Sequence, residues 1–191
     1  MPMTTTLAVT DAQRTRARAV EEEVFGRWFD NTGEELAEEY GPYEDASVFF
    51  LAHPVGDPDD VVGVSRLIAP GLAGNKTLAD VARSPWHADG LELARRAGMD
   101  PDRIWDVATV CATPRGQGAG AAPALYAGMF EHLTGQGAGW WTSLIDEVVL
   151  KLARNAGLPC QPLPTLSAGP YLGSPATVPV YGAVADIRLV G

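Results

Sequence analysis

Cysteine is scarce in this 191-residue chain. Cys111 and Cys160 are the only two, far apart and with no Cys/His cluster beside either, which argues against a disulfide framework and against structural zinc. Long apolar runs are missing as well. No segment approaches the roughly eighteen apolar residues of a membrane span, and the polar start, Met1 to Thr10, lacks the apolar stretch of a signal peptide. Bases are outnumbered, 14 Lys and Arg against 24 Asp and Glu, for a net charge of −10. Non-specific nucleic-acid binding rests on neutralising phosphates and is not expected of such a chain. These absences leave a soluble cytoplasmic domain with no metal and with neither nucleic acid nor membrane as partner.

The chain is 46% hydrophobic and 20% charged, with 21 Gly and 15 Pro. That is enough to bury a core, and its length fits a single domain over residues 1–191. The negative charge is concentrated. Residues 20–60 hold 13 acids against Arg27 alone, residues 1–19 set Asp11 against Arg14, Arg16 and Arg18, and residues 61–191 hold ten acids and ten bases. The balanced C-terminal two-thirds can therefore receive an anionic ligand.

Apolar spacing predicts an amphipathic helix over residues 11–29, capped by Thr10 or Asp11, with Val20, Val24, Phe25 and Trp28 inward and Glu21 to Glu23 on the wet side. A second helical piece, 34–40, ends at Gly41-Pro42. Strands follow at 47–53 and 61–68, joined by the Pro/Gly/Asp-rich 54–60. Residues 69–103 are hard to read, with a helix expected over 87–97. A buried strand at 104–112 is broken by Pro114 and followed by a glycine-rich loop and a helix at 121–133. Then come a strand at 139–145, a helix at 146–155 stopped by Gly157, a short strand within 158–164, a Gly/Pro-rich loop over 165–177 and a closing strand at 178–190. There is no internal repeat. The order implies an α/β (α+β mixed sheet) protein, a central mixed β-sheet flanked by helices.

The sharpest motif is Arg115-Gly116-Gln117-Gly118-Ala119-Gly120, directly after a strand and opening a helix. Glycines allow positive φ and close approach to a ligand, and successive N–H groups at a helix N-terminus cradle phosphate oxygens. The loop lacks the Gly-Lys-Ser/Thr of a P-loop, and Pro123 stands where a dinucleotide fingerprint needs its third glycine. A ligand-free strand-to-helix turn is the plain alternative.

Arg115-x-x-Gly118-x-Gly120 in this setting resembles the pyrophosphate-binding loop of the GNAT superfamily of N-acyltransferases. Further residues are similar to the autoinducer (acyl-homoserine-lactone) synthase branch: Val24-Phe25 with Trp28, Glu39 to Asp45, Val62-Gly63-Val64-Ser65-Arg66-Leu67, Ile104-Trp105-Asp106-Val107, and residues 169–187. The resemblance implies a GNAT-like fold and an acyl donor, acyl-CoA or the phosphopantetheine of an acyl carrier protein. It would be held by Val107, Ala108 and Val110 of the strand and by Arg115, Gly116, Gln117, Gly118, Ala119 and Gly120 of the loop. The chain departs from the pattern at Ala108-Thr109-Val110, where that branch has an Arg. It departs again at Ala153, where common members place the Tyr that reprotonates the departing thiolate.

Acyl transfer needs a base for the amine and a proton for the thiolate. Asp106, on an otherwise apolar strand, is the candidate base, with a salt-bridged structural Asp as its alternative. Tyr181 or Tyr126 is the candidate acid. Asp45 and Glu44 are candidates for an acceptor amine. Mid-strand Arg66 is expected to pair with one of these acids or to hold an acceptor carboxylate. Trp28 and Trp141 complete the candidate substrate contacts; Trp140-Trp141 puts one indole on each sheet face, as core residues in the plain reading and with one lining an acyl tunnel as the alternative. Cys111 without a His or Asn partner reads as an inert thiol, and His53, His87 and His132 as surface or packing residues. A carrier protein, being acidic, would dock near Arg14, Arg16, Arg18, Arg95, Arg96 or Arg115. The expected activity is acyl transfer to the amine of a small amino-acid-like acceptor. A cyclase or decarboxylase on the same scaffold and a non-enzymatic acyl-CoA binder are the alternatives.

Overall fold

The computed structural model describes residues 1–188. Eight strands form a mixed sheet in the order β1-β2-β3-β4-β5-β8-β6, with β7 paired to β8. The chain divides into two compact units, Met1–Leu67 with Thr109–His132, and Ile68–Ala108 with the C-terminal segment from Leu133. No described helix is long and apolar enough to cross a membrane.

The first unit opens with β1 (Met3–Leu7), antiparallel to β2 (Ser47–Pro54) in the register Met3↔Pro54 to Leu7↔Phe50. Its three threonines escape a search for apolar alternation, because an end strand of a sheet is held by its ladder and by β-branched propensity. Helix α1 (Asp11–Phe29) starts at a capping box: Thr10 Oγ1 accepts from the Gln13 amide, and Gln13 Oε1 accepts from the Thr10 amide. Its buried face is Ala17, Val20, Glu21 and Val24, so Glu21 is not on the wet side as the pattern suggested, and Trp28 is 57% exposed. Helix α2 (Gly33–Tyr40) has its own capping box, Thr32 with Glu35. The two hydrogen bonds from Thr32 hold the Glu35 carboxyl below its usual pKa. Strand β3 (Gly63–Ile68) is buried throughout, and the Val62 amide donates to the Ala52 carbonyl. Ala17, Val20 and Val24 pack with Phe49, Leu51 and Val64 as this unit's core.

The second unit carries the short helices α3 (Lys76–Asp80) and α4 (Gly90–Arg96), which pack with Ile104 and Leu163 in a separate core. Helix α3 lies in the stretch that was hard to read, and α4 is shorter than the expected 87–97 because Asp89 caps it. Strand β4 (Ile104–Ala112) begins here and ends in the first unit. Helix α5 (Ala121–Gly135) follows the glycine loop, and β5 (Trp140–Asp146) leads into α6 (Glu147–Asn155). Parallel pairing of β4 with β5 covers Ile104, Trp105 and Asp106 opposite Trp140, Trp141 and Thr142, while both strands continue further.

The C-terminal elements differ from expectation. Strand β6 is only Gln161–Pro162. The loop over 165–177 contains β7 (Gly169–Tyr171) and the start of β8 (Ser174–Ala183). The closing strand ends at Ala183, where a short 3-10 turn over Val184–Asp186 takes over, and the last two residues of its expected range, 189 and 190, lie outside the described residues. Seven register pairs, Trp140↔Ala183 to Asp146↔Thr177, tie β8 to β5, so cross-strand pairing rather than apolar alternation defines it through Pro179, and β7 pairs with its start, Tyr171 opposite Ser174.

Candidate active site

The glycine loop is a run of turns between Thr113 and α5. Thr113 anchors it to the first unit, its amide donating to the Val62 carbonyl at 2.9 Å. Gly116 packs so closely there that a Cβ would collide with the Val62 carbonyl oxygen. The amides of Gly116 and Gln117 donate to the Thr113 carbonyl and that of Ala119 to the Gly116 carbonyl. Gly118 (φ 75°) and Gly120 (φ 94°) occupy the left-handed region, and among the described residues their amides have no internal acceptor. Ala121 and Ala122 open α5, where N–H groups lack intrahelical partners. The Arg115 guanidinium pairs with Asp60.

Arg66 is the centre of a buried ionic cluster in the first unit. Its Nε and Nη2 donate to Glu21 Oε1 and Oε2 at 3.2 and 2.6 Å, and Nη1 donates to Glu44 Oε2 at 3.3 Å. Its guanidinium lies 4.5 Å from the ring centroids of both Tyr40 and Phe49. Thr109 Oγ1 donates to Glu21 Oε1 at 2.5 Å, and Arg18 Nη1 to Glu44 Oε1 at 2.5 Å. Side-chain planarity explains the choice of Arg: the fork meets a carboxylate with two bonds while both faces stack on aromatics. A pocket of about 290 Å³ opens beside this cluster, lined among others by Glu22, Leu36, Tyr40 and Glu44. Of the expected acceptor contacts, Arg66 and Glu44 meet here. Exposed Asp45 and Trp28 are not in the lining. Cys111 packs against the same unit's core, and burial pushes its thiol pKa well up, as an inert thiol requires.

Asp106 belongs to the second unit and is 1% exposed. Its Oδ2 accepts from the Thr77 amide at 2.6 Å and from Thr142 Oγ1 at 3.4 Å. Asn75, the N-cap of α3, donates through Nδ2 to Thr142 Oγ1 at 2.9 Å. Burial raises the Asp106 pKa from 3.8 to about 6, outweighing the opposing effects of the Thr77 bonds and the nearby Lys76 charge. The carboxylate is thus ionised near neutral pH and still basic enough to take a proton. Beside it, Lys76 Nζ donates to Asp80 Oδ2 and to the Tyr171 hydroxyl, both at 2.6 Å, and Tyr171 donates to Asp80 Oδ2 at 2.8 Å. Neither this triad nor the bonds of Glu21 to Arg66 and Thr109 were visible in the motifs. The signals were a Lys and an Asp four residues apart within 69–103, and a single Thr in the apolar run 107–112.

The two candidate acids each have a neighbour of their own. Tyr181 lies opposite Thr142 on β8, and its hydroxyl donates to Gln161 Oε1 at 3.1 Å. Tyr126 stacks on Phe130 at 6.4 Å. Ala153 is fully buried and offers no donor. Trp141, 1% exposed, covers Gly182, where a Cβ would come within 2.6 Å of the indole nitrogen. On β4, the Val107 carbonyl accepts from Ser143 Oγ at 2.7 Å, and Ala108 and Val110 are half-buried. Among the described residues, no group of His, Cys, Asp and Glu is arranged to hold a metal.

Solved structures identify the architecture. FeeM, an N-acyl amino acid synthase from uncultured soil microbes, superposes with a TM-score of 0.70 at 12% identity, covering 97% of this chain and 92% of its own. The chain has the GNAT acyltransferase fold. BjaI, a CoA-dependent acyl-homoserine lactone synthase, matches at a TM-score of 0.57 and 20% identity over 95% of this chain and 82% of its own. A GNAT-family acetyltransferase from Staphylococcus aureus matches at 0.58 and 9% identity over 94% and 99%. No protein-family model and no curated protein sequence matches the chain.

Proposed function

We propose that this chain is an N-acyltransferase that moves an acyl group from a thioester to the amine of a small amino-acid-like acceptor, in a cytoplasmic biosynthetic pathway. The donor is acyl-CoA or the phosphopantetheine of a carrier protein. The observation that carries this reading is the pair of Gly118 and Gly120 amides without internal acceptors, at the mouth of α5 and directly after β4. Such amides suit a pyrophosphate. The likeness of the fold to an N-acyl amino acid synthase and an acyl-homoserine lactone synthase supports it.

In this reading the loop from Arg115 to Gly120 binds the pyrophosphate, and Val107, Ala108 and Val110 face the pantetheine. Asp106, basic by virtue of its burial, takes the proton from the amine as nitrogen attacks the thioester carbonyl. Calorimetric titration with CoA and acetyl-CoA tests the donor site. Binding by the native chain that disappears in Gly118→Trp supports it, whereas equal binding by both forms removes the loop from the reading.

One observation favours a second reading. Asp106 is almost wholly buried and holds the first turn of α3, as a purely structural carboxylate would in a non-enzymatic acyl-CoA binder. Asp106→Asn separates the two, since turnover collapses under the first reading and ligand binding is unchanged under the second.

A further inference from the structure

The glycine loop has a single base, Arg115, and that base is already paired. Its Nη2 donates to Asp60 Oδ1, on the connection between β2 and β3. Gln117, the other long side chain of the loop, turns back and donates from Nε2 to the Ala112 carbonyl at 3.2 Å. What the loop leaves without internal acceptors, among the described residues, are neutral amides such as those of Gly118 and Gly120.

The pairing is built into the backbone of the first unit. Val62 is fixed on both sides: its amide donates to the Ala52 carbonyl and its carbonyl accepts from the Thr113 amide, both at 2.9 Å. Thr113 Oγ1 donates to the same carbonyl at 3.2 Å, and Gly116 packs against it. Asp60 lies two residues before Val62, and Arg115 two residues after Thr113. This bridge therefore sets the carboxylate and the guanidinium side by side. The acidic connection is itself closed by turns, the Asp57 amide donating to the Pro54 carbonyl and the Asp60 amide to the Asp57 carbonyl.

A carboxylate and a phosphate present a guanidinium with the same feature, a pair of anionic oxygens that fits its fork. Any phosphate that uses Arg115 must take it from Asp60. We propose that Asp60 is an internal competitor for the phosphates of the donor, an acid that holds Arg115 and so sets how tightly the loop grips them. The inference rests on the acyltransferase reading above, in which this loop is the pyrophosphate site. Binding then exchanges one ion pair for another instead of adding one, and the displaced Asp60 carboxylate, already 31% exposed, returns to water. The pair is exposed, since Arg115 is 68% accessible, so the competition is modest and reversible. Acyl-CoA and the CoA left after transfer carry the same phosphates, and Asp60 loosens both alike.

The test is calorimetric titration with CoA, at about 0.15 M salt, of the native chain, Asp60→Asn, Arg115→Gln and the double variant. Asp60→Asn is expected to tighten CoA binding by about 5-fold, the upper end for an exposed ion pair, and Asp60→Ser to match it. In the Arg115→Gln background the same substitution has nothing to release and is expected to change affinity by less than about 2-fold, the screened effect of one surface charge. Asp57→Asn, which removes a charge from the same connection without touching Arg115, is expected to stay within that limit too. Unchanged or weaker binding by Asp60→Asn overturns the inference and leaves the acyltransferase reading intact. So does an equal gain in the Arg115→Gln background or in Asp57→Asn, which would make the effect one of net charge. CoA bound by none of these proteins removes the loop from the reading and the inference with it.

Discussion

The two units bury charge in opposite ways. In the first, every charge of the Arg66 cluster has a partner: Glu21 and Glu44 bind Arg66, and Arg18 binds Glu44 from outside. In the second, the Asp106 carboxylate is held by the Thr77 amide and the Thr142 hydroxyl, and the Lys76 ammonium beside it is bonded to Asp80 and Tyr171 instead. A paired cluster is a rigid fixture whose breakage is expensive. A carboxylate with neutral donors pays for burial in its own pKa, and a shifted pKa is the property a catalytic base needs.

The sharpest way to break the contrast is at its centre. Arg66→Met leaves the Glu21 carboxyl buried with Thr109 as its remaining hydrogen-bond partner, and is expected to cost about 3–5 kcal/mol, read as a lower urea midpoint at unchanged slope. If the midpoint does not move, the cluster is no fixture.

Asp106→Asn is expected to do the reverse. The raised pKa means that ionised Asp106 opposes folding: the stability it permits is complete below pH 3.8, falls as pH rises to about 6, and is constant above that. Asn keeps an acceptor for the Thr77 amide without the charge. Melting temperatures of the two proteins should therefore coincide in acid and diverge over that interval, the variant gaining up to about 3 kcal/mol at neutral pH while losing turnover. Parallel melting curves at all pH values contradict the shift.

Smaller effects sharpen the picture of the loop and the rim. Gly118→Ala meets no atom within 4 Å but must hold φ at 75°, a cost of about 1–2 kcal/mol for an L-residue. Thermal unfolding checks that value, and calorimetry should show weakened CoA binding. Arg18→Ala removes a largely exposed partner of Glu44 and should change stability by less than about 1 kcal/mol, an effect that disappears in high salt.

Much of the scaffold was legible along the chain. Thr10 marks the start of α1; the apolar run 104–112 is β4 to the residue; and the glycine loop sits where the motif implied. Those features are local, written in spacing and in φ preference. The misreadings have non-local causes. Glu21 was assigned to solvent because a helix pattern sees only polarity, whereas its burial depends on Arg66, which lies 45 residues away. Strand β1 was missed because its threonines are held by pairing with β2, and the start of β8 because Pro175 argues against a strand that pairing with β7 nonetheless imposes.

The candidate site divides along the same line. By itself the sequence determined the run of elements from β4 to α6, the loop chemistry of Arg115 to Gly120 and the anomaly of a carboxylate on β4, because backbone propensity and the cost of a lone charge act within a few residues. Only the tertiary structure decided which charges meet. It placed Glu21 and Glu44 on Arg66 and brought Lys76, Asp80 and Tyr171 together. Electrostatic pairing depends on distance in space, and residues 91 positions apart in the chain, as Asp80 and Tyr171 are, leave no periodicity from which that distance can be read.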